Sequence, residues 1–255
     1  MPDLSLAIVT YNNESIIKKC IESIISHIGN GLSYKIYVID NASSDNTVRI
    51  VRSISDDIAI IHNNKNMGFG AAHNQILDLL DSRYHLVVNP DIVIENNCIA
   101  EMSDFMDKRR DIGLLSPLIK FPDDRIQYLC KRNPTFIDLF IRLVFPRSFR
   151  KRQDYFEMRD TGYDREFVIQ YATGCFMFFR TEVFKKLHGF DEHFFLYLED
   201  ADITRRVNKI SKAVFYPYNY VVHEWQRGSH NSLKLALTDV RSAMYYFRKW
   251  GFRLY

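Results

Sequence analysis

Cysteine is scarce in this 255-residue chain: Cys20, Cys98, Cys130 and Cys175 are scattered, and none belongs to a CxxC pair. That argues against a structural zinc site and a disulfide scaffold, and fits a reducing cytosol. No apolar run approaches the ~18–20 residues that span a bilayer, so no membrane-spanning helix is expected. The start, Met1-Pro2-Asp3, lacks the basic residues and apolar stretch of a secretory leader, and a cytoplasmic protein is the expectation. Charge of one sign is lacking too: a net +3 is too small to imply nucleic-acid binding. There is no internal repeat, no low-complexity tract and no Ser/His/Asp or Cys/His arrangement that would mark a protein nucleophile. What is there is an ordinary globular composition, 47% apolar and 25% charged, enough for one large domain read as 1–255.

Short β-rich runs alternate with helical patterns through the first half. Strands are predicted at 4–9, 34–39, 59–61, 86–88 and 112–115. Helices are predicted at 16–25, from an Asp45 or Asn46 cap to 54, at 68–80 and around 99–106. The second half is less regular: strands at 167–171, 175–179, 213–216 and 220–223, and helices at 181–187, 199–207 and 232–250, the first of these stopping at Gly189. Strand–helix–strand alternation predicts an α/β protein with a mostly parallel central sheet and helices on both faces. Ligands bind beyond the carboxyl ends of such strands. Four polar clusters fall there, at 10–12, 40–45, 63–68 and 89–91.

Each cluster suggests chemistry. Asp40 ends a strand, where a carboxylate can accept from a ribose hydroxyl or a base N–H; Asp45 reads as a helix cap. The loop NMGFGAAHN at 66–74 suits either an anionic diphosphate at a helix N-terminus or a tight turn exploiting glycine. Its broken GxGxxG pattern and its place after the third strand count against a Rossmann oxidoreductase, the rival enzyme class. Asn89-Pro90-Asp91 offers one carboxylate and one amide to Mg²⁺ or Mn²⁺ whose other ligands are diphosphate oxygens. Glu199, Asp200 and Asp202 crowd within four residues beside an aromatic run, an arrangement that tunes a general base; Asp202 reads as a structural acid. His223 ends an apolar run before a glycine-containing loop, as a metal or phosphate contact would.

In order along the chain, VTYN (9–12), VIDNASSDNT (38–47), NMGFGAAHN (66–74), VVNPD (87–91), ATGCFMFFR (172–180), GFDEHFFLYLEDADITRRV (189–207) and HEWQRGS (223–229) resemble a family-2 glycosyltransferase of the GT-A fold, closest to bacterial rhamnosyltransferases of O-antigen and cell-wall polysaccharide assembly. The resemblance implies a donor side made by Thr10, Tyr11, Asn12, Asp40, Asn66, Gly68, Asn89 and Asp91, with Asp91 and His223 on the metal. It implies Asp200 as catalytic base, and Glu199 and Trp225 on the acceptor side. It also implies an inverting transfer from a nucleotide-diphospho-sugar, dTDP-L-rhamnose or another donor such as a galactofuranosyl or hexosaminyl one. The first acid of the usual DxD motif is Asn89 here, so the metal is expected to be weakly held or to arrive with the nucleotide. Residues 1–120 would form the nucleotide-sugar half and 121–255 the acceptor half.

Residues 131–152 hold seven basic residues and one acidic one around an apolar stretch at 136–145, and the tail 245–255 mixes aromatic and basic residues without an acid. This composition fits either an interfacial helix on an anionic membrane or a core helix with solvated charges. An acceptor linked to a polyprenyl diphosphate would give it a purpose, with the protein peripheral on the inner face of the cell membrane.

Overall fold

A computed structural model describes residues 1–29, 31–224 and 233–255. The chain runs β1 (Leu4–Thr10), α1 (Ile17–His27), β2 (Tyr34–Asp40), α2 (Thr47–Arg52), β3 (Ala59–His62), α3 (Phe69–Asn74), β4 (Tyr84–Val88), β5 (Ile92–Val93), α4 (Cys98–Lys108), β6 (Ile112–Lys120), β7 (Cys130–Lys131), α5 (Phe136–Val144), α6 (Arg150–Phe156), β8 (Tyr171–Ala172), β9 (Phe176–Arg180), α7 (Thr181–Lys186), α8 (Glu199–Val207), β10 (Lys212–His223) and α9 (Leu233–Trp250). Eight strands form one sheet in the order β3-β2-β1-β4-β9-β6-β10-β5, and β7 pairs with β8 in a small second sheet. The β3-β2-β1-β4 side is parallel, as is the β6–β10 pair; β9 and β5 run antiparallel to their neighbours. β1 is buried along nearly its whole length and β4 throughout, which is why both read as apolar runs rather than alternating ones. One core cluster, with α1 and α4, covers one face; a second, with Phe179, Phe184, Phe190 and Phe215, covers the other.

Several boundaries differ from the sequence expectation. The helix expected at 68–80 is only α3 followed by a 3₁₀ turn at Leu77–Leu79. Asn74 leaves the helix pattern to clamp the 190 loop, its amide nitrogen donating to Phe190 O (2.8 Å) and its Oδ1 accepting from the Phe190 N–H (2.8 Å). The two strands expected at 213–216 and 220–223 are one, β10, with a register shift between Tyr216 and Tyr220, where Pro217 supplies no N–H. The strand at 167–171 shrinks to β8 plus an isolated Val168–Val214 bridge. At α2, Asn46 makes no side-chain cap, and Asp45 accepts from the Thr47 N–H at 3.0 Å instead.

Two histidines are buried under the sheet. His85 on β4 meets Ser5 Oγ (3.0 Å), and burial pushes its pKa down to about 3. His73 packs against the Phe69 ring (4.5 Å between centroids); neither ring nitrogen has a hydrogen-bond partner among the described residues, and burial holds its pKa well below the usual value. A depressed histidine pKa means the unfolded chain binds the extra proton first. The associated stability is complete above the unfolded value of ~6.5 and lost as pH falls below it. His73→Phe, which removes that proton and no hydrogen bond, is therefore expected to gain about 1.4 kcal/mol over the parent per pH unit below ~6.5. Urea unfolding of both proteins at pH 7 and pH 5 checks this; an unchanged difference would sink it.

Candidate active site

Four loops meet at the carboxyl ends of β1 to β4. The first two are stitched together. The Asn12 N–H donates to Ser43 Oγ (2.9 Å), the Ser44 N–H to Asn12 Oδ1 (2.8 Å), the Asn13 N–H to Thr47 Oγ1 (2.8 Å) and the Glu14 N–H to Asp45 Oδ2 (3.0 Å). Asn12 takes a left-handed φ of 56°, one of the conformations asparagine tolerates best. This lattice buries Thr10, whose hydroxyl has no partner among the described residues, and leaves Tyr11 exposed at the rim. Asp40, buried at the end of β2, accepts from the Ser43 N–H at 3.3 Å and lies 3.7 Å from His62 Nδ1.

The glycine loop does something other than what its N–H groups suggested. The Gly68 N–H is taken by Asn66 Oδ1 (2.9 Å) and the Phe69 N–H by Phe195 O (3.0 Å), so those two are not free for a diphosphate. Gly68 has φ +85°, and a Cβ there would lie 2.1 Å from Phe195 O. A Cβ on Gly70 would meet Phe190 Cβ at 2.8 Å. The glycines permit close packing against the 190–199 segment, and Asn41 secures the loop from below, donating to Gly68 O at 2.9 Å. Of the two readings open from the sequence, the tight turn is the one these contacts display, and the loop seats the segment that carries Glu199 and Asp200.

That segment enters α8 through Tyr197 and Leu198, both left-handed (φ 72° and 66°), a conformation costing roughly 1 kcal/mol per residue for L-amino acids. It delivers Asp200 with both oxygens engaged: Oδ2 accepts from the Gly174 N–H and Oδ1 from the Ala201 N–H, each at 2.9 Å. Burial raises the Asp200 pKa, while Lys131, those two N–H groups and Tyr171 pull it back. Glu199 is raised well above the usual carboxylate range by burial and then by the Asp200 charge, and its Oε2 has no partner among the described residues. Asp202, fully buried, binds Arg206 Nε (2.7 Å), Lys249 Nζ (2.7 Å) and Trp250 Nε1 (2.8 Å); it ties α8 to α9, as a structural acid would.

Asp91 stands in the turn that closes β4. The Ile92 N–H donates to Asn89 O (3.2 Å), and the antiparallel β5–β10 pairing sets His223 opposite Ile92. The Glu224 N–H then donates to Asp91 O (2.9 Å), and His223 Nε2 comes within 3.3 Å of Asp91 Oδ2. The other oxygen, Asp91 Oδ1, is buried without a partner among the described residues. One link brings this corner to Asp200: the Asn89 N–H donates to Cys175 O (2.9 Å), while the adjoining Gly174 N–H holds Asp200. Burial pushes the Cys175 thiol up, and the charges of Asp91 and Asp200 add to it. Trp225 lies outside the described residues.

Two residues in this site were not visible as site residues in the sequence. Lys131, in the basic stretch, is only 4% exposed; its ammonium lies 4.6 Å from the Tyr171 ring centroid and donates to Thr173 Oγ1 (3.2 Å), and burial brings its pKa down to about 8. Gln127 backs His223. Lys131 could have been suspected from its nearness to an apolar strand; nothing local marked Gln127.

Residues 5–188 match the family model described as glycosyl transferase family 2. The chain belongs to that family. It is similar to the N-acetylglucosaminyl-diphospho-decaprenol L-rhamnosyltransferase of Mycobacterium tuberculosis, 24% identical over 207 residues that make up 74% of this chain and 66% of that protein, a little under two thirds of its length. It is similar to rhamnosyltransferase WbbL of Escherichia coli, 24% identical over 231 residues, 86% of this chain and 82% of that one. Among solved structures, the mannosyltransferase PcManGT of Pyrobaculum calidifontis, in complex with GDP-Man and Mn²⁺, superposes with a TM-score of 0.67 at 16% identity, over 97% of this chain and 64% of that one. Staphylococcus aureus TarS 1-349 with UDP-GlcNAc gives 0.64 at 16% identity, over 94% and 66%. The fold is therefore the GT-A glycosyltransferase fold. The family also sets aside the Rossmann oxidoreductase alternative.

Proposed function

We propose that this chain is an inverting transferase that moves L-rhamnose from dTDP-L-rhamnose onto a saccharide carried by a polyprenyl diphosphate, in bacterial surface polysaccharide synthesis. The observation that carries the reading is the shared seat of Asp200 and the Asn89–Asp91 turn: the consecutive residues Gly174 and Cys175 hold one each, so the proposed base and the proposed leaving-group corner are neighbours. The two relatives named for rhamnosyl transfer support the sugar, and the mycobacterial one's name supports the lipid-linked acceptor. Residues 1–120 supply the donor half, with Thr10, Tyr11, Asn12, Asp40 and Asn66 around the nucleotide, and 121–255 the acceptor half.

The chemistry is one displacement. Asp200 removes the proton of the acceptor hydroxyl as its oxygen attacks the anomeric carbon in line with the departing nucleoside diphosphate. A β-linked donor then gives an α-rhamnoside, and no protein nucleophile is required. Glu199, beside the base, faces the acceptor side. Asp91 and His223 fit a divalent cation in one respect that is visible directly: Asp91 Oδ1 is a buried anionic oxygen without a partner among the described residues. No cluster of three or more His, Cys, Asp or Glu side chains suited to a metal occurs among the described residues, so water and diphosphate oxygens would complete the shell. A cation bound there supplies charge neutralisation to the leaving diphosphate. An imidazole beside a carboxylate favours Mn²⁺ over Mg²⁺, which prefers an all-oxygen shell.

No described helix is long and apolar enough to cross a membrane, and the membrane contact proposed is peripheral. Phe136, Phe140, Leu143, Val144, Phe145 and Phe149 are each 43–60% exposed. The C-terminal tail docks on the start of α5, where the Phe136 and Ile137 N–H groups donate to Arg253 O (2.8 Å) and Leu254 O (3.2 Å), and Phe252 joins the aromatic face at 5.7 Å from Phe136. Arg147, Arg150 and Lys151 follow it in the chain, an arrangement suited to anionic headgroups. The inner side of α5 packs through Leu139 on the cluster that includes Tyr171 and Ala201, one layer from Asp200.

One assay tests the reading: nucleotide release from dTDP-, UDP- and GDP-sugars with a lipid-diphosphate acceptor in anionic or neutral liposomes, with and without Mn²⁺. dTDP-L-rhamnose is expected to be turned over fastest, with the protein floating on anionic vesicles and released by salt. Faster turnover of a UDP-sugar would replace the donor; TarS, crystallised with UDP-GlcNAc, keeps a hexosaminyl donor as the second reading.

A further inference from the structure

The hairpin after β6 sends Gln127 back across the end of β10. It turns at 121–125, where the Phe121 N–H donates to Arg125 O (2.8 Å) and the Asp124 N–H to Phe121 O (3.0 Å); the Gln127 N–H then closes on Ile119 O (2.8 Å). The Gln127 side chain is buried, and its amide nitrogen faces two carbonyl oxygens, His223 O at 2.7 Å and Lys120 O at 3.3 Å. Only an NH₂ group can face two carbonyls, so the amide has one permitted orientation. Its Oε1 is then the atom 2.8 Å from His223 Nδ1. A carbonyl oxygen at that distance requires a proton on Nδ1. When the ring is neutral that is its only N–H, and Nε2 presents a lone pair. That lone pair lies 3.3 Å from Asp91 Oδ2. A cation lying against both atoms would be held by that lone pair and the carboxylate together.

The geometry points to Gln127 as the positioning residue of this corner: it fixes His223 as the Nδ1–H tautomer and aims Nε2 at a divalent cation shared with Asp91. This rests on the metal-assisted transfer proposed above and adds a residue that lies outside every motif of the family resemblance. Without Gln127 the ring proton is free to move to Nε2, where it hydrogen-bonds to Asp91 and competes with the cation. Partners of this kind, behind a metal-ligating histidine, are typically worth ~10–100-fold in metal affinity.

Two measurements on the full chain decide it. Nitrogen-15 NMR of the His223 ring is expected to show Nδ1–H in the parent protein, and a shift toward Nε2–H in Gln127→Met. Titration with Mn²⁺, alone and with dTDP, followed by electron paramagnetic resonance, is expected to show ~10–100-fold weaker binding in Gln127→Met. Nε2–H in the parent overturns the inference, and so does equal Mn²⁺ affinity in a variant whose circular dichroism is unchanged. If Gln127→Met fails to fold, the parent tautomer decides alone. A parent that turns over a sugar donor but binds no Mn²⁺ defeats the metal corner and leaves the transferase reading standing. Equal Mn²⁺ binding by the parent and Gln127→Met overturns the inference while leaving the metal corner itself standing.

Discussion

Asp200→Asn is expected to lower sugar transfer by ~10²–10⁴-fold, the usual range for removing a positioned general base, while dTDP binding changes little. The separation follows from the structure. Asp200 is held by Gly174 and Ala201, whereas the residues proposed for the nucleotide lie on the β1 and β2 loops. Rapid-quench single turnovers with a bound donor measure the loss; a fall under tenfold would remove Asp200 from the base role. The pH profile adds a sign. Burial raises the Asp200 pKa, so transfer is expected to rise with pH through an acid limb above the ordinary aspartate value. The charged and titratable groups acting on it are Lys131, Tyr171 and Glu199. A cation favours the carboxylate form, so Lys131→Met is expected to move that limb to higher pH, whereas a merely structural lysine would change the amplitude and leave the limb in place.

The sheet was legible because β1 to β4 carry their own signature: runs apolar on both faces, each closed by polar residues that had to lie at one edge. Asp45 as a cap and Asp202 as a structural acid were legible for the same reason, since local spacing defines both. The glycine loop stayed ambiguous because glycine reports only that backbone comes close, not to what; here Gly68 comes close to Phe195 O. Gln127 and Lys131 were hidden by distance along the chain. Gln127 meets His223 across 96 residues and Lys131 meets Thr173 across 42, through the 121–125 hairpin and the β7–β8 pairing, neither of which leaves a periodic trace. A lysine in a basic run reads as solvated until a strand pairing buries it.

Asp91→Asn is expected to reduce transfer by at least ~100-fold and to abolish measurable Mn²⁺ binding. In a family whose usual motif offers two acids, this chain has Asn89 in the first place, so Asp91 alone supplies negative charge at the turn. Asparagine keeps the volume and leaves the main-chain bonds of the turn intact, the Glu224 N–H to Asp91 O and the Ile92 N–H to Asn89 O. The loss would then be one of charge rather than of folding, and an unchanged melting temperature would mark it as such. The converse substitution makes the argument two-sided. Asn89→Asp restores a second carboxylate on the same turn, and with it Mn²⁺ is expected to bind about tenfold more tightly, because each added anionic oxygen ligand strengthens a hard-cation site. If Asp91→Asn binds Mn²⁺ as the parent does, or if Asn89→Asp leaves the affinity where it was, the leaving-group corner lies elsewhere in the protein.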